Sequence, residues 1–252
     1  MQELLLAWYS QNARDFPWRR TRDPYAILVS EVMLQQTQVA RVVPRYLAWL
    51  ERWPAVAALA AATPAEVITA WSGLGYNRRA VLLRRCAEEV EARGGFPQEP
   101  NELMRLPGVG PYTAAAIACF AFDAQITAPD TNARRVLGRV HGDAEVVPPP
   151  GRAYDWNQAL FDLGREVCIA RTPRCGVCPL APECPSRGMT FAPERRQSRF
   201  EGSFRQRRAR LLRAIADAGS LPDEETDAEA LVSLVRDGLA EVRDGHAQLP
   251  AR

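Results

Sequence analysis

The sequence predicts an all-α protein, and three observations carry that expectation. Apolar residues recur at helical spacing through segments 2–13, 24–35, 38–52, 64–72, 77–93, 100–105, 112–122, 131–140 and 154–168. No strand-like alternation interrupts them. Helix start signals stand where the pattern needs them: Asp23-Pro24 and Thr63-Pro64 each join a capping side chain to a first-turn proline, and the first opens the helix that contains Glu31.

Composition fits a core-forming chain. Of 252 residues, 47% are hydrophobic and 25% charged. No apolar run approaches the ~20 residues that span a bilayer, so no membrane partner is expected. The first segment, MQELLLAWYSQNARDFPW, lacks a basic stretch followed by an apolar core. No signal peptide is expected on that ground, and the location expected is cytoplasmic and nucleoid-associated. A formal charge of +2 does not by itself establish a nucleic-acid partner, but all 32 basic residues are arginine. Schiff-base chemistry on a lysine amine therefore has no side chain to use, since a guanidinium stays protonated.

The segment VVPPPGR at 146–152 reads as a loop, and 185–198 as a linker leading to a different kind of tail. Eight arginines stand against two glutamates between 194 and 213, and the chain then turns acidic. Phe204, Leu211, Leu212 and Ile215 share one helical face; LVSLVRDGL makes a second helix; AEVR and HAQL flank an Asp244-Gly245 turn as a β-hairpin. Helix, helix and hairpin suggest a small winged-helix-like unit. Its basic face suits DNA phosphates and a plain solvated helix equally.

Four of the six cysteines, Cys168, Cys175, Cys178 and Cys184, fall in VCIARTPRCGVCPLAPEC with C-x6-C-x2-C-x5-C spacing. Nothing indicates export, which argues against disulfides. Four thiolates suit a structural zinc, and the Cys-Pro pairs at 178–179 and 184–185 also suit iron–sulfur ligation. Spacing alone does not separate the two. Cys86 and Cys119 lie in alanine-rich helical settings and read as small buried hydrophobes.

Three further segments carry chemistry. In LPGVGPYTAAAIACFAF, Gly108 and Gly110 flank Val109 in a tight turn before an alanine-rich helix, a layout that lets backbone N–H groups approach a phosphate. In APDTNARRVLGRV, Asp130 occupies an N-cap position ahead of Asn132. In YAILVSEVMLQQTQVARVVPRY, Glu31 sits on an otherwise apolar helix, where a carboxyl group either caps and stays at the surface or holds a raised pKa and a proton to give. The polar cluster Gln35, Gln36, Thr37 and Gln38 follows it and could reach base edges.

SEVMLQQTQVA, WSGLGYNRRA, LPGVGPYTAAAI, the Asp130 segment and the cysteine loop stand in the order found in helix-hairpin-helix DNA glycosylases. Over roughly residues 1–186 the chain most resembles the MutY-type adenine glycosylases of that endonuclease III-like superfamily. The resemblance implies a two-lobed, all-helical fold with the active site in the cleft between lobes. It assigns 21–113 to a six-helix lobe with the hairpin, 1–20 and 114–188 to an iron–sulfur cluster lobe, and 195–252 to the winged-helix-like extension. It implies a [4Fe–4S] cluster on Cys168, Cys175, Cys178 and Cys184, and a monomer acting on double-stranded DNA that contains a mispaired or damaged base.

By matching positions, Glu31 resembles the general acid that protonates the leaving adenine, and Asp130 the carboxylate that stabilises the cationic sugar. Tyr112 and Asn132 match supporting catalytic positions. Gln35, Gln36, Tyr76, Gly108, Val109 and Gly110 match DNA-contacting positions. Arg14, Trp18, Arg19, Leu34 and Gln158 match the lining of a flipped-base pocket. One neutral acid and one ionised carboxylate are what glycosidic cleavage through an oxocarbenium-like state needs.

The match departs in places. The residues beyond the cysteine loop are too few for the large C-terminal domain that inspects 8-oxoguanine in many relatives. Thr131 stands where the adenine branch usually has glycine, and Tyr112 occurs in both the adenine and the thymine/guanine mismatch branches. Monofunctional excision of adenine opposite 8-oxoguanine or guanine is the leading expectation, favoured by Gln35-Gln36-Thr37. Thymine or uracil excision opposite guanine is the alternative. A non-catalytic iron–sulfur DNA-binding module is a third, and the paired carboxylates Glu31 and Asp130 argue against it.

Overall fold

The computed structural model describes residues 1–142, 146–192 and 199–251. Part of the expected linker, 193–198, therefore lies outside the described residues. The chain forms two compact units. The first comprises Met1–Ile27, Pro97–Met104 and Val109–Arg196; the second comprises Leu28–Phe96, Arg105–Gly108 and Gln197–Arg252.

The first unit is built on α1 (Gln2–Asn12), α7 (Pro100–Leu103), α8 (Pro111–Phe122), α9 (Thr131–His141) and α10 (Ala153–Glu166), with short 3-10 turns at Pro17–Arg20, Cys175–Val177 and Ala181–Glu183. Its core gathers Leu5 from α1, Ala133 and Val136 from α9, and Trp156, Ala159, Leu160 and Leu163 from α10. Along α9 and α10 those positions recur at spacings of three or four residues, which is why one stripe of each faces inward. Asn157, fully buried, ties the approach to α9 down. Its Oδ1 accepts from Ala128 N (2.7 Å), and its Nδ2 donates to Ile126 O (2.9 Å).

The second unit contains the body of α2 (Pro24–Leu34), then α3 (Val39–Arg52), α4 (Val56–Ala61), α5 (Pro64–Ala70), α6 (Arg78–Ala92), α11 (Phe204–Ala218) and α12 (Ala228–Arg236). Asp23 caps α2 through bonds from Tyr25 N (3.0 Å) and Ala26 N (3.3 Å), as its place before Pro24 predicts. Thr63 and Glu66 form a reciprocal capping box on α5. Trp49, Trp53 and Trp71 meet edge to face at 4.6 and 5.5 Å.

The tail is the expected helix–helix–hairpin with one addition. β1 (Ser220–Pro222), β2 (Glu241–Arg243) and β3 (His246–Gln248) form an antiparallel sheet in the order β1-β3-β2. Both residues of the Asp244-Gly245 turn have positive φ, 51° and 71°, as a tight two-residue hairpin requires. Leu211, Leu212 and Ile215 from α11 and Leu231 and Leu234 from α12 enclose a core that Ile68 of α5 and Val81 of α6 complete. A segment this short cannot cover its own apolar face, so the tail takes part of its core from α5 and α6.

Candidate active site and cysteine cavity

Asp130 is placed by local capping. Its backbone is extended and its Oδ1 accepts from Ala133 N at 2.6 Å, the N-cap bond of α9. The second oxygen does something else. Oδ2 accepts from Asn132 Nδ2 (3.0 Å), Asn132 Oδ1 accepts from Arg135 Nη2 (2.8 Å), and Arg135 Nε donates to the Cys168 carbonyl (2.8 Å). A continuous run of polar contacts thus links a candidate catalytic carboxylate to the backbone of a candidate metal ligand. Burial pushes the Asp130 carboxyl above the usual carboxylate range, while the Ala133 and Asn132 donors and the Arg135 charge pull the other way.

Gly164 sets how closely α10 approaches this run. A Cβ there would lie 2.8 Å from Asn132 Cβ and 2.9 Å from Asn132 O, and the backbone oxygen cannot swing aside. Arg135 Nη2 also bonds the Gly164 carbonyl at 2.6 Å. Gly164→Ala gains about 1 kcal/mol of helix propensity and meets about 1–3 kcal/mol of overpacking at that contact. The expected outcome is a lower melting temperature together with a displaced Asn132 and slower base excision. A variant that melts higher, as propensity alone would give, contradicts the close approach.

The other candidates in this unit divide. Tyr112, on the first turn of α8, meets Phe161 edge to face at 6.1 Å, and Gln158 is buried on α10. Trp18 is buried and stacks on Phe16 at 5.1 Å. Arg19 is committed to Asp162 through two bonds of 2.7 and 2.8 Å, both groups shielded from solvent. Arg14 pairs with the exposed Glu166 at 2.9 Å, and its own N–H reaches Asp162 at 3.3 Å. Asp162, only 2% exposed, has no motif around it and was not legible as a partner of Arg19. At the start of α8, Gly110 caps without a side chain and Pro111, in the first turn, brings no N–H.

In the second unit, Glu31 is 7% exposed on α2, between Ile27–Ser30 and Val32–Met33, all buried. Leu34 ends the helix, half-buried. The chain then turns through Gln36 at φ 54°, and a second turn passes through Tyr76 at φ 47°. Left-handed backbone at a non-glycine residue costs about 1–3 kcal/mol and persists where the surroundings enforce it. Gln36 is exposed and Tyr76 is 41% exposed. Gly108 has φ +77° and a Cβ there would sit 2.9 Å from Leu82 Cβ, so the hairpin turn packs against α6 only as glycine. Val109 is buried.

Cys168, Cys175, Cys178 and Cys184 all carry free thiols and line one pocket, together with Val136, Leu163 and Leu180. Donors point at the sulfurs: Arg139 Nη1 to Cys168 Sγ (3.3 Å) and Gly188 N to Cys175 Sγ (3.4 Å). The Arg139 guanidinium also bonds the Ile169 carbonyl (2.8 Å) and lies 3.7 Å over the Phe191 ring. Burial pushes the Cys178 thiol up, opposed by the Leu180 amide. Among the described residues, no three His, Cys, Asp or Glu side chains converge as a compact set for a single ion.

Comparison with known proteins shows the family. Residues 29–152 match the family described as HhH-GPD superfamily base excision DNA repair protein. The chain is 44% identical over 268 residues to the adenine DNA glycosylase of Mycolicibacterium smegmatis, covering 94% of this chain and 91% of that protein. It is 42% identical to the Mycobacterium tuberculosis adenine DNA glycosylase over 98% and 92% of the two chains. The human adenine DNA glycosylase matches at 41% identity over 73% of this chain and 38% of its own length. Among solved structures, a thermostable thymine-DNA glycosylase superposes with TM-score 0.67 at 29% identity, covering 73% of this chain and 93% of its own. An endonuclease III–DNA covalent intermediate, with TM-score 0.63 and 23% identity over 73% and 92%, shares the fold.

Proposed function

We propose, since the chain belongs to the adenine DNA glycosylase family of helix-hairpin-helix base excision repair proteins, that it hydrolyses the N-glycosidic bond of adenine paired with 8-oxoguanine or guanine. The observation that carries the reading is the treatment of Asp130. A helix cap needs one carboxylate oxygen, and here the second is held by Asn132, itself oriented by Arg135. Such support fixes a carboxylate that must face a developing positive charge.

The residues then take the following roles. Glu31 gives its proton to the base nitrogen as the glycosidic bond breaks, and afterwards orients the attacking water. Asp130 faces C1′ of the cationic sugar, and Asn132 and Tyr112 support it. The base must leave the stack to be reached. Arg14, Trp18, Arg19, Leu34 and Gln158 are the residues we assign to contacts with the flipped base. Gln35, Gln36 and Tyr76 enter the duplex, and the 108–110 turn with the first amides of α8 holds a phosphate without reading sequence. The partner is duplex DNA, bound by a monomer.

We extend the reading to a [4Fe–4S] cluster held by Cys168, Cys175, Cys178 and Cys184. Four free thiols around one cavity, with N–H donors at two sulfurs, suit it. Held by these four residues, such a cluster would cross-link the loop that leads out of α10. The lobes we assign are 21–113 and 1–20 with 114–188, with 195–252 appended. Among the described residues no helix is long and apolar enough to cross a membrane.

The test is product analysis. Incubation with a duplex containing A·8-oxoguanine is expected to release free adenine and leave an abasic strand uncut. Borohydride is expected to trap no adduct through a lysine, because the chain has none. Release of no base from any mispaired duplex sinks the reading. Thymine or uracil excision opposite guanine is the second reading, since Thr131 stands where the adenine branch usually has glycine and Tyr112 occurs in both branches.

A further inference from the structure

Arg79, near the start of α6, is 9% exposed and is held by oxygen atoms only. Nη1 donates to the carbonyls of Val32 (2.6 Å), Met33 (3.2 Å) and Gln35 (2.7 Å). Nη2 donates to Thr37 Oγ1 (3.2 Å) and to the Gly75 (3.0 Å) and Leu74 (3.5 Å) carbonyls, and Nε to the Tyr76 carbonyl (3.4 Å). None of these partners is a carboxylate. Burial brings the guanidinium down to about 10, so it is still charged at neutral pH.

These partners come from two segments far apart in sequence. Val32, Met33 and Gln35 offer carbonyls at the C-terminal end of α2, where the helix leaves them unsatisfied and its dipole favours a cation. Leu74, Gly75 and Tyr76 form the turn before α6. Each segment contains one exposed non-glycine residue in left-handed backbone, Gln36 in the first and Tyr76 in the second. Thr37 Oγ1 also reaches the Leu74 carbonyl at 3.4 Å, and the Arg79 guanidinium lies 5.1 Å from the Trp71 ring and 5.6 Å from the Tyr76 ring. Only a planar fork with five donors spans both sets of carbonyls; an ammonium has three donors on one atom.

We propose that Arg79 is a positioning residue that locks the 32–37 and 74–76 segments into one rigid element. Gln36 and Tyr76 are thereby presented to the duplex in a preset geometry, and Glu31 is held on the helix end that Arg79 caps. The proposal rests on the glycosylase reading for its role, and on the hydrogen-bond geometry alone for the lock.

The test compares wild type with Arg79→Lys and with the milder Thr37→Val in the full chain. Amide exchange of residues 34–38 and 74–77 is expected to quicken about tenfold or more in Arg79→Lys, in both segments together, while the core of the first unit keeps its protection. Thr37→Val is expected to quicken both by a smaller factor. Single-turnover excision from an A·8-oxoguanine duplex should fall about 10- to 100-fold in Arg79→Lys, with Tyr76→Ala adding little on top, because both act through one element. A merely structural arginine would lower the melting temperature without moving both segments or coupling to Tyr76. Loosening of one segment only, wild-type exchange, or losses that multiply with Tyr76→Ala overturn the proposal. If Arg79→Lys fails to fold, Thr37→Val decides by the same exchange measurement. A wild-type protein inactive on every mispaired duplex refutes the glycosylase reading while leaving the exchange result standing.

Discussion

Asp130→Asn is expected to slow single-turnover adenine excision about 10³-fold, a size typical of removing one well-placed electrostatic stabiliser, while leaving the fold nearly intact. Asparagine caps a helix as well as aspartate does, so the bond from Ala133 N survives the change. What is lost is the charge that faces the sugar cation and the acceptor for Asn132. One hydrogen bond of about 1 kcal/mol lowers the melting temperature of a chain this long by only about 2–4 °C. The pH profile provides a second readout. Burial holds the Asp130 carboxyl above its ordinary range, and the reaction needs it ionised. The rate therefore rises with pH across an acid limb placed above the usual aspartate value, and that limb disappears in the variant. A variant that melts far lower but excises normally per folded molecule would make Asp130 a cap and nothing more.

Glu31→Gln is expected to cost about 10²–10⁴-fold, the range spanned by general acid catalysis. The substitution is close to isosteric, so a site this enclosed keeps its packing. The amide has no proton to give, and the adenine must leave as an anion. Binding should hold: affinity for an A·8-oxoguanine duplex within about threefold of wild type, since the phosphate contacts that dominate affinity are untouched. Excision at the wild-type rate would remove Glu31 from the chemistry.

Much of this fold is legible in the sequence because it is local. Nine helices are signalled by apolar spacing, and in the structure each runs within a few residues of its expected bounds. Helix α4 is not signalled: Val56–Ala61 is short, alanine-rich and without a side-chain cap, and gains its conformation from packing Leu59 inward. β1 is missed for a related reason. Three residues, Ser-Leu-Pro, show no alternation and become a strand only by pairing Leu221 with Ala247. The Asp244-Gly245 hairpin, by contrast, is written in its turn.

The candidate site divides along the same line. Asp130 as an N-cap and the free thiols of the cysteine loop follow from neighbours in sequence. The residues that hold them do not. Asn157, Asp162 and Gly164 act across 29 to 148 positions of chain on a helix whose sequence looks ordinary. Arg79 lies three residues beyond Tyr76 in WSGLGYNRRA, yet its partners Val32 and Met33 are 47 and 46 positions away. A buried arginine with carbonyl partners carries no signature until the carbonyls are in place.

Adenine excision is tested by a single-turnover comparison of A·8-oxoguanine, A·G, T·G and U·G duplexes under one set of conditions. Excision from A·8-oxoguanine and A·G, with T·G and U·G left whole, is the predicted result. Cleavage confined to T·G and U·G contradicts it and moves the chain's activity to the mismatch branch of the same fold.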